Sequence, residues 1–358
     1  MTTTTEQPAA APETPPETDE RLSSSHTLSR ILRRPEVGAL AGAIVIFLFF
    51  TVTTEAFSKP TGASTWIFVA SNFGIMAVAV AMLMIGGEFD LSAGTMIGTT
   101  GLTTGILMTE YSWNVWAAIV ASFVLAAAIG ALNGILVMRT GLPSFIVTLG
   151  TFFVLQGVNL AETKALIGKV SLTIRDEPGY ADGKKLFGSS MTIGLPTGDL
   201  TLYAATFWWI GITIVATWLL LRTRPGNWIF AVGGAQQSAR QVGVPVFGTK
   251  VGLFMGTALA GWAAGMCALF KTSSVQSIAG VGQEFTFIIC AVVGGCLLTG
   301  GYGSAIGAAL GALIYGMVAQ GIVYEGWNSD WLYTILGVML LGAVVVNNWV
   351  KSRAEAVR

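Results

Sequence analysis

The sequence predicts an all-α polytopic membrane protein of about ten transmembrane helices, and three observations carry that expectation. Of 358 residues, 53% are hydrophobic and only 11% charged, where ordinary globular domains carry about a quarter charged residues. Apolar runs of the length that crosses a hydrocarbon core about 30 Å thick, roughly 20 helical residues, recur along the chain. The chain also has 45 glycines, which suits membrane helices that approach closely through small residues. Its 19 basic and 19 acidic residues balance without basic runs, which excludes a nucleic-acid binder that works by neutralising phosphates. Cys267, Cys290 and Cys296 lie in or beside apolar segments, where free thiols behave as small hydrophobes. They form no disulfide framework and no metal set, and no cofactor is implied.

Residues 1–34 are rich in Thr, Pro, Glu and Ala and hold the one histidine, His26. With almost no large apolar side chain before Leu22 they cannot bury a core, and they read as a disordered cytoplasmic tail with a solvated histidine. Arg30, Arg33 and Arg34 precede an apolar run that continues to Val52. That run is too long for a signal peptide and begins too far from the start, so it is the first span. The spans fall at about 37–55, 66–85, 91–108, 115–138, 144–161, 203–221, 250–270, 283–299, 304–322 and 331–349. The eighth is the least defined, because Gly294-Gly295 and Gly300-Gly301 bracket it and a broken or re-entrant segment would read the same way. The membrane domain is thus 35–349, with an outer loop at about 162–202, a cytoplasmic coupling loop at about 223–249 and a cytoplasmic tail at 350–358.

Short cytoplasmic loops carry the excess Lys and Arg, and charge asymmetry supports an even count of spans. With the amino end inside, Arg139, Arg222, Arg224, Arg240, Lys250, Lys351, Arg353 and Arg358 join the first three arginines on the cytoplasmic side, while Glu55, Glu110, Glu325 and Asp330 fall outside. Tyr111, Trp113, Trp116, Trp208, Trp209, Tyr324, Trp327 and Trp331 then sit at the outer interface, where amphipathic rings collect.

Four features point to function. Gly86-Gly87-Glu88-Phe89-Asp90-Leu91-Ser92 places two carboxylates between the second and third spans. Asp90 and Ser92 suit a helix start, where side-chain oxygens satisfy orphan backbone donors. Carboxylates near the bilayer also default to function, so this turn is either a structural cap and hinge or a gate. On the fifth span, Thr148, Thr151, Phe152, Gln156 and Asn159 share one sector at about 100° per residue. Hydroxyls, amides and one ring suit a sugar, and they equally suit helix packing. In the cytoplasmic connection 226–245, Gln236 to Val242 is helix-compatible, with Gly243 as its left-handed stop and Pro245 beyond. This short helix either lies on headgroups or docks a partner, and Gln236, Gln237, Arg240 and Gly243 are its candidate coupling residues. Lastly, Met84-Ile85-Gly86-Gly87 before the glycine-spaced third span echoes Val293-Gly294-Gly295 before Gly303, Gly307, Gly311 and Gly316. With an odd number of spans between them, the two copies are expected to have opposite orientation, as in carriers that alternate access about a central site.

Among absences, no Gly-x-x-x-x-Gly-Lys-Ser/Thr phosphate loop occurs, so ATP is not bound in that way by this chain. The spans lack the buried charged relays of proton-driven carriers, since Glu88, Asp90 and Glu284 fall at predicted span edges. A membrane enzyme would need clustered carboxylates, a metal set or a nucleophile with its base, and none is present.

Taken in order, the Gly86 to Gly94 segment, Asn133-Gly134-Ile135-Leu136-Val137 leading to Pro143-Ser144-Phe145-Ile146-Val147-Thr148, Ala231-Val232-Gly233-Gly234 with Arg240 and Gly243, and Val293-Gly294-Gly295 through Ser304 resemble the membrane permease subunits of ribose- and xylose-type ABC importers. The resemblance spans about residues 37 to 349. Where that family usually has Asn-Glu in its coupling helix, this chain has Ala235-Gln236. The resemblance implies a type II importer fold with an inverted internal repeat and no chemistry of the chain's own. It also implies a multi-pass subunit of the plasma (inner) membrane with both termini cytoplasmic. Its implied partners are cytoplasmic ATP-binding subunits, a second permease subunit (identical or different) and an extracytoplasmic solute-binding protein. The expected cargo is a monosaccharide, with a polyol, nucleoside, branched amino acid or other small polar solute as alternatives, and an ion-coupled secondary carrier as a more distant one. On this view Asn72, Thr148, Thr151, Phe152, Gln156 and Asn159 line the substrate path. Gly86, Gly87, Glu88, Asp90, Ser92, Gly294 and Gly295 form a gate or hinge.

Overall fold

A computed structural model describes residues 35–355; the amino-terminal tail and His26 lie outside the described residues. In order, the elements are α1 (Pro35–Thr53), α2 (Glu55–Ser58), α3 (Pro60–Ile85), α4 (Ala93–Thr109), α5 (Val115–Thr140), α6 (Ser144–Ile167), β1 (Ser171–Thr173), α7 (Tyr180–Phe187), β2 (Ser190–Leu195), β3 (Gly198–Tyr203), α8 (Ala204–Arg222), α9 (Arg224–Gly234), α10 (Gln236–Gln241), α11 (Val246–Thr272), β4 (Ser274–Gln276), α12 (Glu284–Val293), α13 (Ala305–Tyr324) and α14 (Trp331–Glu355). Seven of these helices, α1, α3, α5, α6, α8, α11 and α13, are long and apolar enough to cross a membrane.

Local chemistry sets the ends. Asn114 Oδ1 accepts the Trp116 N–H at 2.9 Å at the start of α5, and Gly141 closes that helix in the left-handed region at φ 69°. Pro143 leads into α6, which Gly168 ends at φ 72°. Thr223 and Ser304 accept first-turn N–H groups of α9 and α13. These are the polar N-caps and glycine stops that satisfy orphan backbone groups.

Helix direction follows from close contacts. Ser71 of α3 donates to Thr206 of α8 at 2.9 Å, and Gly74 lies on Trp209, so these two helices are parallel. Gly316 of α13 lies on Ala70 and Trp66, while Gly303, just before α13, lies on Ile85, so α13 runs against α3. Gly261 and Gly265 of α11 meet Met96 and Thr100 of α4 in parallel; Gly130 and Gly134 of α5 meet Met255 and Val251 in antiparallel. In its apolar window α11 is 72% buried and α3 67%, against 22% for α6. The first two form the centre and α6 one flank.

Two sequence expectations are corrected here. The eighth span, expected at 283–299, has only the ten residues of α12 in helix, about 15 Å of rise. Residues 294–299 lie outside the helix, and the stretch 273–283 that leads into it is non-helical too and includes β4, paired with β1 at Ser171–Gln276 and Thr173–Ser274. The glycine echo is not inverted. Gly294 meets Gly307 and Gly311 meets the Cys290 carbonyl, so α12 runs against α13 and therefore with α3. Six steps of alternation separate the second and eighth spans, which restores the direction. The inversion relates other elements: α3, α4, α5 and α6 run opposite, position for position, to α11, α12, α13 and α14. In both sets a long helix is followed by a non-helical return and then a shorter helix (Ala93–Thr109 or Glu284–Val293). α4 packs parallel on α11 and α12 parallel on α3, as an inverted pair requires.

Candidate functional site

The double glycines end α3 and α12 in one shared geometry. Gly86 is right-handed at φ −71°, Gly87 left-handed at φ 82°, and the N–H groups of Gly87 and Glu88 donate to Met84 O and Leu83 O at 2.9 and 3.2 Å. Gly294 and Gly295 repeat this at φ −69° and 93°, with Gly295 and Cys296 donating to Val292 O and Ala291 O at 2.9 and 3.0 Å. Both are Schellman caps. The first of them touches the Gly300-Gly301 turn that follows the second: Gly301 N–H donates to Ile85 O at 2.8 Å, and a Cβ on Gly300 would lie 2.8 Å from Gly87 Cα.

After Gly87 the chain climbs to the start of α4. Gly261, which faces that start, is 15 residues into α11, about 22 Å from its first turn and so near mid-depth. A chain of polar groups holds the climb. Asp90 Oδ1 accepts from Ser92 N and Ser92 Oγ at 2.8 and 2.6 Å; Ser92 Oγ accepts from Asn133 Nδ2 at 2.9 Å; Asn133 Oδ1 accepts from Thr151 Oγ1 at 2.6 Å. Ser144 Oγ and Thr148 Oγ1 accept the Phe89 and Leu91 N–H groups at 3.1 and 3.0 Å. Asp90, Ser92, Asn133, Ser144 and Thr148 are all buried, and Asp90 Oδ2 has no hydrogen-bond partner among the described residues. Leucine at Asn133 removes one hydrogen bond each from Ser92 Oγ and Thr151 Oγ1, which keep Asp90 Oδ1 and Val147 O. It is expected to cost about 1–3 kcal/mol, seen as a lower melting temperature in detergent micelles.

Thr148 and Thr151, expected on the substrate path, are therefore engaged in holding the turn. Asn159 is also buried, close to Gly98 of α4, with its Nδ2 unpaired among the described residues. Gln156 and Phe152 are half-buried, and the Phe152 ring meets Phe153 at 5.1 Å. The five residues do share one sector, and its buried members face α4 and α5. Asn72 is apart from them: it is on α3, its amide donates to Phe68 O at 2.8 Å, and α3 packs on α8, α11, α12 and α13.

At the other end of the turn, Glu88 and Lys250 form a buried ion pair, and Lys250 Nζ also donates to Gln236 Oε1 at 2.8 Å. The sequence places Lys250 at a span edge among solvated cytoplasmic charges. In fact α11 begins at Val246, just after Pro245, and carries Lys250 inward. The position of that proline was the available signal. Gln237 and Arg240 of α10 are exposed, and Gly243 is the left-handed stop at φ 84°, as expected. Ala239 is the buried side of this short helix, against Val232 and Val246.

The break before α12 holds another residue not singled out by sequence. Glu284 is buried, its Oε2 accepts Gly282 N–H at 3.0 Å, and it faces Gly94 at the start of α4. The starts of α4 and α12 thus lie side by side. The non-helical flank beside them exposes Gln276, Ile278 and Gly282, and the first turn of α12 exposes Phe285.

Comparison with known proteins accords with this geometry. The family described as "Branched-chain amino acid transport system / permease component" matches residues 62–344. The chain belongs to that family. The permease is 33% identical over 275 residues to the ribose import permease protein RbsC of Escherichia coli (strain K12), covering 76% of this chain and 81% of that one. It is 27% identical to the xylose transport system permease protein XylH of the same strain, covering 88% and 92%. With the fructose import permease protein FrcC of Rhizobium meliloti it shares 27% identity over 78% and 76%. No solved structure matches the permease.

Proposed function

We propose that this chain is the pathway-forming permease subunit of an ATP-driven importer of a monosaccharide in the plasma membrane, with both termini cytoplasmic. Energy comes from partner ATPases docked on α9 and α10, and the cargo is delivered by an extracytoplasmic solute-binding protein at the outer segment 168–203. A second permease subunit, identical or related, completes the path. Alternating access follows from tilting of the shorter helices α4 and α12 against the central α3 and α11.

One observation carries the assignment of the path. Irregular backbone at membrane depth is tolerated only where it is buried in protein or lines water, yet the stretch 273–283 exposes Ile278, and the first turn of α12 exposes Phe285, each at 56%. That flank, with the open side of α6, is the wall of the translocation path. Single cysteines at Gln276, Ile278 and Phe285 are expected to react with a hydrophilic maleimide in membranes. Cysteines at Ile44 and Val52, exposed on the regular helix α1 at 50% and 84%, are expected to stay unlabelled in lipid. Equal labelling of both groups removes the assignment.

The sugar reading rests on the relatives named for ribose, xylose and fructose import, whereas the family description names branched-chain amino acids. A ligand melt of the cognate solute-binding protein against ribose, xylose, fructose, leucine, a polyol and a nucleoside separates them. Stabilisation by an aldose or ketose supports the proposal, and stabilisation by leucine alone overturns the cargo.

A further inference from the structure

Lys250 hydrogen-bonds to both the candidate gate and the candidate docking helix. Its ammonium group has two side-chain acceptors, the Glu88 carboxylate on the turn after α3 and Gln236 Oε1 at 2.8 Å in the first turn of α10. Both charged residues are buried. A buried ion pair is weak as a stabiliser, because apolar side chains of similar volume commonly do as well or better. What the pair adds is a fixed geometry between groups on separate elements.

The backbone around it leaves no cushion. A Cβ on Gly233, near the end of α9, would collide with Ile85 O and lie 2.8 Å from Gly301 N. Gly87 and Gly300 close the same contact. The docking unit α9–α10 therefore bears directly on the Gly86-Gly87 and Gly300-Gly301 turns. From Glu88 the chain is two residues short of Asp90, whose bonds run through Ser92 and Asn133 to Thr151 on α6.

We propose that Lys250 is a positioning residue that links ATPase docking to the gate. Displacement of Gln236 when the ATPases close moves Lys250, Lys250 carries Glu88 with it, and the turn 86–92 shifts α6 through its polar clamp. Both sites bias one movable turn, which is what a coupling claim needs. The inference rests on the reading of α9 and α10 as the docking face, and the test keeps the two apart.

A single cysteine replaces Gln276 on the proposed path wall, and its labelling by a hydrophilic maleimide is followed with and without ATP in proteoliposomes that hold the complete importer. Cys267, Cys290 and Cys296 are buried, which keeps the background low. In the parent, ATP is expected to change the labelling rate. In the neutral pair Glu88→Gln/Lys250→Met, ATPase subunits are expected to remain bound and hydrolyse ATP while the ATP-dependent change falls about tenfold. The swap Glu88→Lys/Lys250→Glu is expected to recover much of it. An undiminished ATP response in the neutral pair overturns the relay and leaves the docking reading standing. A parent that neither binds the ATPases nor responds to ATP takes both down together. Should the neutral pair fail to assemble, Glu88→Leu/Lys250→Leu, which fills the same buried space without charge, carries the same expectation and the same refutation.

Discussion

Valine in place of Gly233 is expected to abolish the folded permease, while alanine at Gly150 or Gly157 leaves it intact. At Gly233 the three atoms nearest to an added Cβ are all backbone: Ile85 O collides with it, and Gly301 N lies 2.8 Å from it. The Gly301 N–H already donates to Ile85 O at 2.8 Å, so a wedge there also breaks a buried backbone bond. Flexible side chains can turn away from an added methyl, but three converging main chains cannot. Overpacking in a tight core costs about 1–3 kcal/mol and occasionally more, and this position belongs at or above the upper end. Gly150 and Gly157 have nothing within 4 Å of a built Cβ. Both lie within α6, where alanine gains about 1 kcal/mol of helix propensity over glycine. Monodispersity on gel filtration and the thermal midpoint in detergent are the measurements. A Gly233→Val protein that elutes and melts like its parent would show that α9 does not bear on the two turns.

This contrast bears on what the sequence could disclose. Long apolar runs are a property of local composition, and they located the long helices α1, α3, α4, α5, α6, α8, α11, α13 and α14 to within about six residues, while α12 is shorter than expected and α2, α7 and α9 carry no such signal. The stop at Gly243 was equally legible, because it acts through its own backbone angle. Which glycines are close contacts was not legible, since Gly150 and Gly233 differ only in what lies across from them. The same limit explains Thr148 and Thr151. Their shared helical face was evident, but their partners Leu91 N and Asn133 are 57 and 18 residues away in sequence. Polar side chains in one sector announce a wet or a hydrogen-bonded face, and only the fold decides between them. Alternation along the chain also misled at the echo. Similar glycine turns mark two helix ends that meet at one side, whereas the inverted halves share no evident motif and are recognised by packing.

The second large effect concerns charge. Methionine at Lys250 alone leaves the buried Glu88 carboxylate without its cation, and breaking a buried pair from one side costs about 3–5 kcal/mol. The single variant is therefore expected to fold poorly or to melt far below the parent. Glu88→Gln/Lys250→Met removes both charges and is expected to return to within about 1 kcal/mol of the parent, because the desolvation cost disappears with the attraction. The exposed pair Lys185–Asp182, with side chains 78% and 54% exposed, supplies the contrast: removing either member there costs at most about 1 kcal/mol. Salt separates the two cases further. Raising ionic strength screens the surface pair and leaves the buried one nearly untouched, so the Lys250→Met penalty should persist at high salt. A single variant as stable as the double would mean that water reaches Glu88, and the turn 86–92 would then be a solvated hinge rather than a dry joint between the docking face and the path.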